Sequence, residues 1–138
     1  MSGFQPAITI SQIIERISNN DFLLPAFQRE FVWSAKQIED LFNSIMKGYP
    51  INSMLFWKVR EKTKGDFKFY KFLDTYREWF KTHNEHIQTD RKNDFWAILD
   101  GQQRLTSLYI GLCGSYAYKE YRKKWINDES ALPTRLLY

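Results

Sequence analysis

The sequence predicts a single domain that mixes α-helices with β-strands, and three observations carry this prediction. The chain has 138 residues, of which 43% are hydrophobic and 26% charged, a balance that suits one folded domain with one core. The unbroken apolar run Phe95–Leu99 indicates a strand buried on both faces. From Leu105 onward the apolar residues recur at helical spacing, which predicts a helix directly after that strand.

The first elements of the chain are predicted to be a helix and a short strand. Residues 7–10 indicate an extended start, after which Ser11 is predicted to cap a helix that ends at Asn19-Asn20. The run Phe22–Leu24 predicts a strand, and Pro25 fixes the turn after it because proline biases the preceding residue away from helix.

The clearest helix begins at Ser34. Ser34 and Gln37 have the spacing of a capping box, and the apolar residues that follow recur every three or four positions. Gly48 and Pro50 predict the end of this helix. Residues 53–59 are rich in side chains that favour sheets and predict a strand.

The region between residues 60 and 94 carries the weakest pattern. Its aromatic and leucine residues between Phe69 and Phe80 fall at helical spacing, which predicts an amphipathic helix over about residues 69–82. Residues 83–94 are polar throughout and predict an exposed loop.

The C-terminal part is predicted to continue the helix that starts near Leu105. That helix should carry Cys113 on its buried face and extend over residues 116–125. Residues 132–138 predict another strand, inside which the sequence stops. We therefore expect residues 1–138 to be one domain and a C-terminally truncated fragment of a longer protein.

Charge and composition limit the kinds of partner that the protein can have. The formal net charge is +4, a mild excess that allows contact with nucleic acid but is also common in proteins that bind none. A basic cluster, Lys119 with Arg122–Lys124, fits either DNA phosphates or a solvated helix end. The sequence has no apolar run long enough to cross a bilayer and only one cysteine, so we expect a cytoplasmic protein without a membrane partner.

The stretch Asp100–Arg104 is the main candidate functional site, because it places polar residues between a buried strand and a helix. Unpaired N–H groups of a first helical turn, together with the helix dipole, attract anions. Gly101 allows a sharp turn and close approach of a ligand to the main chain. Gln102 and Gln103 offer hydrogen-bond donors and acceptors that can orient water or phosphate oxygens, and the guanidinium of Arg104 suits paired phosphate oxygens.

Asp100 adds a carboxylate to the same stretch. It can hold a divalent metal ion through water, or it can orient Arg104. The alternative interpretation is purely structural: a tight turn in which Asp100 and Arg104 pair and the glutamines are solvated. The residues alone leave both the functional and the structural interpretation open.

Two long motifs carry a resemblance to a known family. Leu24–Trp33 (Leu-Pro-Ala-Phe-Gln-Arg-Glu-Phe-Val-Trp) and Asp100–Leu108 (Asp-Gly-Gln-Gln-Arg-Leu-Thr-Ser-Leu), with Gly48–Ile51 and Met54–Trp57 between them, closely resemble the N-terminal domain of the DUF262 family. That family belongs to the ParB/sulfiredoxin-like superfamily and includes subunits of GmrSD-type, modification-dependent restriction enzymes. The resemblance covers about residues 8–112.

The resemblance implies an α+β fold in which a small mixed β-sheet packs with helices. It also implies a nucleotide-binding pocket and NTP hydrolysis, coupled in full-length relatives to cleavage of modified or foreign DNA by a C-terminal HNH-type nuclease domain. No His-Asn-His arrangement follows in this sequence, so nuclease activity does not carry over. Residues 60–94 match no motif of the family.

Together with the resemblance, the residues define an expected site that binds an NTP with Mg²⁺. The expected catalytic residues are Asp100, Gln102, Gln103 and Arg104, and Asp100 is also the expected Mg²⁺ ligand. The expected nucleotide or phosphate contacts are Phe27, Gln28, Arg29, Gly101, Arg104 and Thr106. For the first three an alternative stays open, in which Arg29 and Glu30 form a surface ion pair of little energetic value.

Two functions from different classes follow. The first is an NTPase domain of a DNA-targeting restriction or phage-defence protein, in which a glutamine positions water and Arg104 with Mg²⁺ neutralises phosphoryl charge. The second is a non-catalytic module in which the same motif grips DNA or another partner. The expected partners are a nucleotide, DNA through the full-length protein and a second copy of the chain. The sequence lacks a P-loop, and His83 and His86 have no third ligand nearby to form a zinc site.

Overall fold

The computed structural model describes residues 3, 5–26, 31–77, 83–117 and 134–135. The helices in this part of the chain are α1 (Ile10–Ser18), α2 (Ala35–Met46) and α3 (Gln102–Cys113), with a 3₁₀ turn at Glu61–Thr63. The strands are β1 (Phe22–Pro25), β2 (Leu55–Val59), β3 (Phe69–Tyr70), β4 (Thr75–Arg77), β5 (His86–Ile87), β6 (Phe95–Asp100), β7 (Ser115–Ala117) and β8 (Thr134–Arg135).

The strands form a five-stranded sheet and a small three-stranded sheet. In the larger sheet the order is β2-β6-β1-β3-β5. Strand β6 runs parallel to β1 and antiparallel to β2, so the sheet is mixed. In the smaller sheet, β7 lies between β4, to which it is parallel, and β8, to which it is antiparallel. The fold is therefore α+β, with helices packed on a small mixed sheet, as expected.

Strand β6 is buried because it has a neighbour on each side and a packed core on each face. Phe95 and Ala97 are 0% exposed and belong to a cluster on one face of the sheet. Ile98 is also 0% exposed but belongs to a larger cluster on the other face, with Leu105 and Leu108 of α3. The prediction of a strand buried on both faces is confirmed, and this strand positions the candidate site at its C-terminal end.

The helix starts show that local capping signals act as expected, with one correction. Ser34 and Gln37 form the predicted capping box at the start of α2, and Gly48 adopts a left-handed conformation (φ +77°) just after its end. For α1, however, the predicted cap at Ser11 is wrong. Thr9 is the N-cap, and its capping box partner is Gln12, a pair with the same Ser/Thr-x-x-Gln spacing.

The predicted helix over residues 69–82 is wrong for its described part. Residues 69–70 form β3 and residues 75–77 form β4, while residues 78–82 lie outside the described part of the chain. Phe69 packs in the smaller core cluster and Tyr76 in the larger one. Because this segment passes from one core cluster to the other, its apolar residues recur at intervals that also fit a helix. Pairing with strands distant in sequence, and not this spacing, decides the local structure. The predicted loop over residues 83–94 is interrupted by β5.

The end of α3 also differs from the prediction. The helix stops at Cys113, and residues 115–117 form β7 instead of continuing the helix. Cys113 is exposed, not buried, because α3 is buried on most sides near its start and emerges into solvent near its end. A strand at Thr134–Arg135 agrees with the predicted C-terminal strand. The basic residues Lys119 and Arg122–Lys124 lie outside the described residues.

The buried side chain of Lys64 joins two segments of the chain. The side chain of Lys64 is 7% exposed, and its ammonium lies 3.5 Å from Asp94 Oδ1. The same ammonium donates to the backbone carbonyl of Lys92. Lys64 therefore ties the segment after the 3₁₀ turn to the loop before β6.

Replacing Lys64 with methionine is expected to lower the free energy of unfolding by about 1 to 2 kcal/mol, because the variant loses a charged, partly buried hydrogen bond to the carbonyl of Lys92. Urea unfolding monitored by circular dichroism measures this change. The matched control is Lys62→Met, which removes an exposed ammonium two residues away and should leave the unfolding midpoint unchanged. Equal midpoints for the two variants would contradict a joining role for Lys64.

Candidate functional site

The candidate site lies where β6 ends and α3 begins. Strand β6 ends at Asp100, Gly101 is the N-cap of α3 in the left-handed region (φ +91°), and the helix starts at Gln102. The predicted strand-to-helix junction is therefore confirmed. No side chain caps the N-terminus of α3 by a hydrogen bond, and the first N–H that bonds within the helix is that of Leu105, to the carbonyl of Gly101. The N–H groups of the first turn are thus not covered by a capping side chain.

Gly101 makes the sharp turn and brings neighbouring side chains into close contact. The residue is buried, and its N–H donates to Asp100 Oδ1 at 2.8 Å. A Cβ at this position would lie 2.7 Å from Met54 Cγ and 3.2 Å from Arg104 Nη2. The space beside the glycine is therefore filled by the side chains of Met54 and Arg104. Met54 packs the loop before β2 against the junction.

Arg104 is anchored by the same loop. Its side chain is 17% exposed. Nη1 donates to the backbone carbonyl of Ile51, and Nη2 donates to that of Ser53 at 3.1 Å. Asn52, between them, adopts a left-handed conformation with φ +69°. The guanidinium is thus held in one position by two carbonyls that sequence analysis did not identify as partners.

Asp100 is the exposed member of the cluster. Its side chain is 73% exposed, and Oδ1 lies 4.0 Å from Arg104 Nη2. An ion pair at this distance and exposure contributes little to stability. The carboxylate is fixed by its hydrogen bond from Gly101 and still presents oxygen atoms to solvent.

The two glutamines occupy different environments. Gln102 is 7% exposed, and its Nε2 donates to the carbonyl of Ile98 at 2.6 Å, which ties the start of α3 to β6. Gln103 is half-buried, and its Oε1 accepts the N–H of Val32 at 3.0 Å. Thr106, one turn beyond Gln102, is 2% exposed. The structure therefore places Gln102 and Thr106 in the protein interior and Gln103 at the edge of the turn.

The second predicted motif reaches the junction through Val32. Phe27, Gln28 and Arg29 lie outside the described residues. On their C-terminal side, Phe31 is buried and its ring packs edge-to-face on Tyr76 with the centroids 5.0 Å apart. The bond from Val32 to Gln103, two residues 71 positions apart, links the two motifs. No sequence signal identified this contact beyond the presence of both motifs.

The described residues contain no group of three or more His, Cys, Asp or Glu side chains that could together hold a metal ion. Among the two histidines, His83 is exposed, and the ring of His86 packs against Tyr70 with the centroids 5.6 Å apart. None of the helices in the described part of the chain has the length and apolar character needed to cross a bilayer.

Comparison with known proteins gives two matches. The family model described as "GmrSD restriction endonuclease, N-terminal domain" matches residues 10–136. An uncharacterized protein of Methanocaldococcus jannaschii is 31% identical over 100 residues, a match that covers 72% of this chain. The chain spans only 16% of the length of that relative.

Proposed function

The chain belongs to the GmrSD restriction endonuclease N-terminal domain family, and from that premise we propose that it binds and hydrolyses a nucleoside triphosphate for a DNA-targeting restriction or phage-defence protein. The phosphates bind at the junction Asp100–Arg104. The observation that carries this proposal is the combination, at one turn, of an uncapped helix N-terminus, an anchored guanidinium and an exposed carboxylate.

The helix N-terminus and Arg104 supply positive potential for the phosphates. First-turn N–H groups without a side-chain cap are suited to anions, and the dipole of the 12-residue helix α3 adds to them. Two N–H groups of Arg104 are occupied by the carbonyls of Ile51 and Ser53, which hold its charge in place without neutralising it. A fixed charge stabilises a transition state better than a mobile one, because it needs no reorganisation during the reaction.

Asp100 fits the part of a Mg²⁺ ligand. Mg²⁺ in nucleotide sites keeps several waters and uses one or two carboxylates together with the phosphates. Asp100 is 73% exposed, so it has room for a hydrated ion, and its bond from Gly101 N–H sets its orientation. When bound, Mg²⁺ would neutralise charge on the phosphoryl oxygens.

The glutamines divide between orienting and supporting roles. Gln103 lies at the edge of the turn and is the residue that we assign to positioning the attacking water. Gln102, bonded to Ile98 in the interior, holds the turn in shape. Thr106 supports the turn from inside, and Phe27, Gln28 and Arg29 remain proposed contacts of the nucleotide.

The test compares the wild-type chain with Asp100→Asn. Asparagine keeps a side-chain oxygen that can accept the Gly101 N–H, so the turn is preserved while the negative charge is lost. We expect Mg²⁺-dependent phosphate release from one of the four common NTPs, lowered about a hundredfold in the variant. Chelation of Mg²⁺ should stop turnover in the wild-type chain.

The matched control is Asp66→Asn, which removes an exposed carboxylate outside the junction and should leave turnover unchanged. Calorimetry with each NTP, with and without DNA, separates binding from hydrolysis. Nucleotide binding without turnover would favour the non-catalytic module. A folded protein that binds no NTP, or equal turnover in wild-type and Asp100→Asn, would contradict the proposal.

A further inference from the structure

A second cleft lies away from the junction Asp100–Arg104. It is formed by the C-terminal end of α1, the segment between β3 and β4, the residues before β5 and Tyr109 of α3. Its volume is about 630 Å³, within the usual range for sites that bind small organic molecules. None of the residues 100–106 lines it, so it is distinct from the proposed nucleotide site.

The walls of this cleft are fixed by hydrogen bonds to backbone carbonyls. Lys71 donates its N–H to the carbonyl of Glu85 at 2.8 Å, and Asn84 Nδ2 donates to the carbonyl of Lys71 at 2.9 Å. The carbonyl of Asp74 accepts the N–H of Ser115 at 2.9 Å. The cleft is therefore preformed, and a ligand would not have to order it.

The floor of the cleft is apolar. Ile17, Phe72 and Leu73 line it and are 3%, 8% and 7% exposed. The half-buried ring of Tyr109 forms one side. The exposed parts of these side chains give a ligand a narrow apolar strip to contact within a lining that is otherwise polar.

The charged groups around the floor favour a cation. Two carboxylates, Asp74 and Glu85, line the cleft with the ammonium of Lys71 and the imidazole of His83. The ammonium lies 4.0 Å from Glu85 Oε1, so its charge is already partly matched. Within the described part of the chain the carboxylate of Asp74 has no ion pair or hydrogen bond. This cleft is thus locally acidic in a chain with a formal charge of +4.

We propose that the cleft binds an alkylammonium group, with the ammonium at Asp74 and its methylene chain on the apolar floor. Such a group can come from a free polyamine or from the lysine side chain of a protein. Both sources offer the same chemistry, a primary ammonium on a flexible hydrocarbon stem. The proposal does not depend on nucleotide binding at the junction.

The test is an NMR titration of the full chain with spermidine and, separately, with Nα-acetyl-lysinamide. We expect amide shifts at Thr75 and Tyr109, and an affinity about fivefold lower in Asp74→Asn, since one exposed ion pair is lost. Asp74 makes its structural contacts through the backbone, so the variant should fold. Tighter binding of spermidine would identify a free polyamine as the source, and tighter binding of the lysine derivative would identify a protein.

The control variant is Asp66→Asn, whose carboxylate lies outside the cleft. It should bind both probes as the wild type does. Unchanged affinity in Asp74→Asn, an equal loss in Asp66→Asn, shifts confined to residues outside the cleft, or equally tight binding of inorganic phosphate would each overturn the proposal.

Discussion

Replacing Gly114 with alanine is expected to lower the free energy of unfolding by about 3 kcal/mol, because the added methyl group would overlap backbone that cannot move aside. Gly114 follows α3 and precedes β7. A Cβ there would overlap the carbonyl oxygen of Asp74 and lie 2.5 Å from its carbonyl carbon. Its φ of −134° is open to any residue, so the cost is steric.

The loss of stability in Gly114→Ala should be largest where β4 and β7 pair. Asp74 accepts the N–H of Ser115 at 2.9 Å, and the parallel register places Thr75 opposite Ser115. A methyl group at position 114 would push these strands apart at their first contact. Urea unfolding provides the free energy, and hydrogen exchange of the Ser115 amide provides the local readout.

The control for this prediction is Gly65→Ala. A Cβ at Gly65 meets no atom within 4 Å, so this variant should be neutral or slightly more stable. If Gly114→Ala unfolded at the same urea concentration as Gly65→Ala, the close approach of Gly114 to the backbone of Asp74 would not exist in solution.

The elements that the sequence predicted well are those whose signals are local. The capping box of Ser34 and Gln37 fixes the start of α2 within a few residues of chain. The run from Phe95 to Leu99 has no polar residue that could face solvent, so only a central strand fits it. These signals depend little on the rest of the fold.

The failures have a common physical cause, which is dependence on distant partners. Phe69 pairs with Ile87 in the larger sheet, and Tyr76 pairs with Tyr116 in the smaller one. Neither partner lies near enough in sequence to mark residues 69–77 as strands. Aromatic residues three, four and seven positions apart satisfy a helical pattern equally well.

The same limit applies to the candidate site. The polar residues at its turn were predicted from sequence, because a buried strand and a helix flank them. The groups that hold the site in shape were not predicted from sequence. They are the carbonyls of Ile51 and Ser53 and the side chain of Met54. Backbone acceptors leave no signature in a side-chain pattern, so a structure was needed to find them.

Gly101→Ala is the second substitution with a large expected effect, a loss of about 2 to 3 kcal/mol in the free energy of unfolding. Two costs add. The left-handed conformation (φ +91°) disfavours a Cβ, and the methyl group would lie 2.7 Å from Met54 Cγ. It would also lie 3.2 Å from Arg104 Nη2, which should displace the guanidinium from its carbonyls and lower NTP turnover if the junction is the phosphate site.

Gly48→Ala separates these two costs. Gly48 has a similar left-handed conformation (φ +77°), but a Cβ there meets nothing within 4 Å, so this variant should lose only about 1 kcal/mol. Met54→Ala in combination with Gly101→Ala completes a double-mutant cycle that measures the contact itself. In the Met54→Ala background, Gly101→Ala should cost less than it does in the wild type. It should still cost more than Gly48→Ala, because the contact with Arg104 Nη2 remains. If Gly101→Ala alone cost no more than Gly48→Ala, Met54 and Arg104 would move aside freely, and their close contacts with Gly101 would add nothing to the stability of the turn.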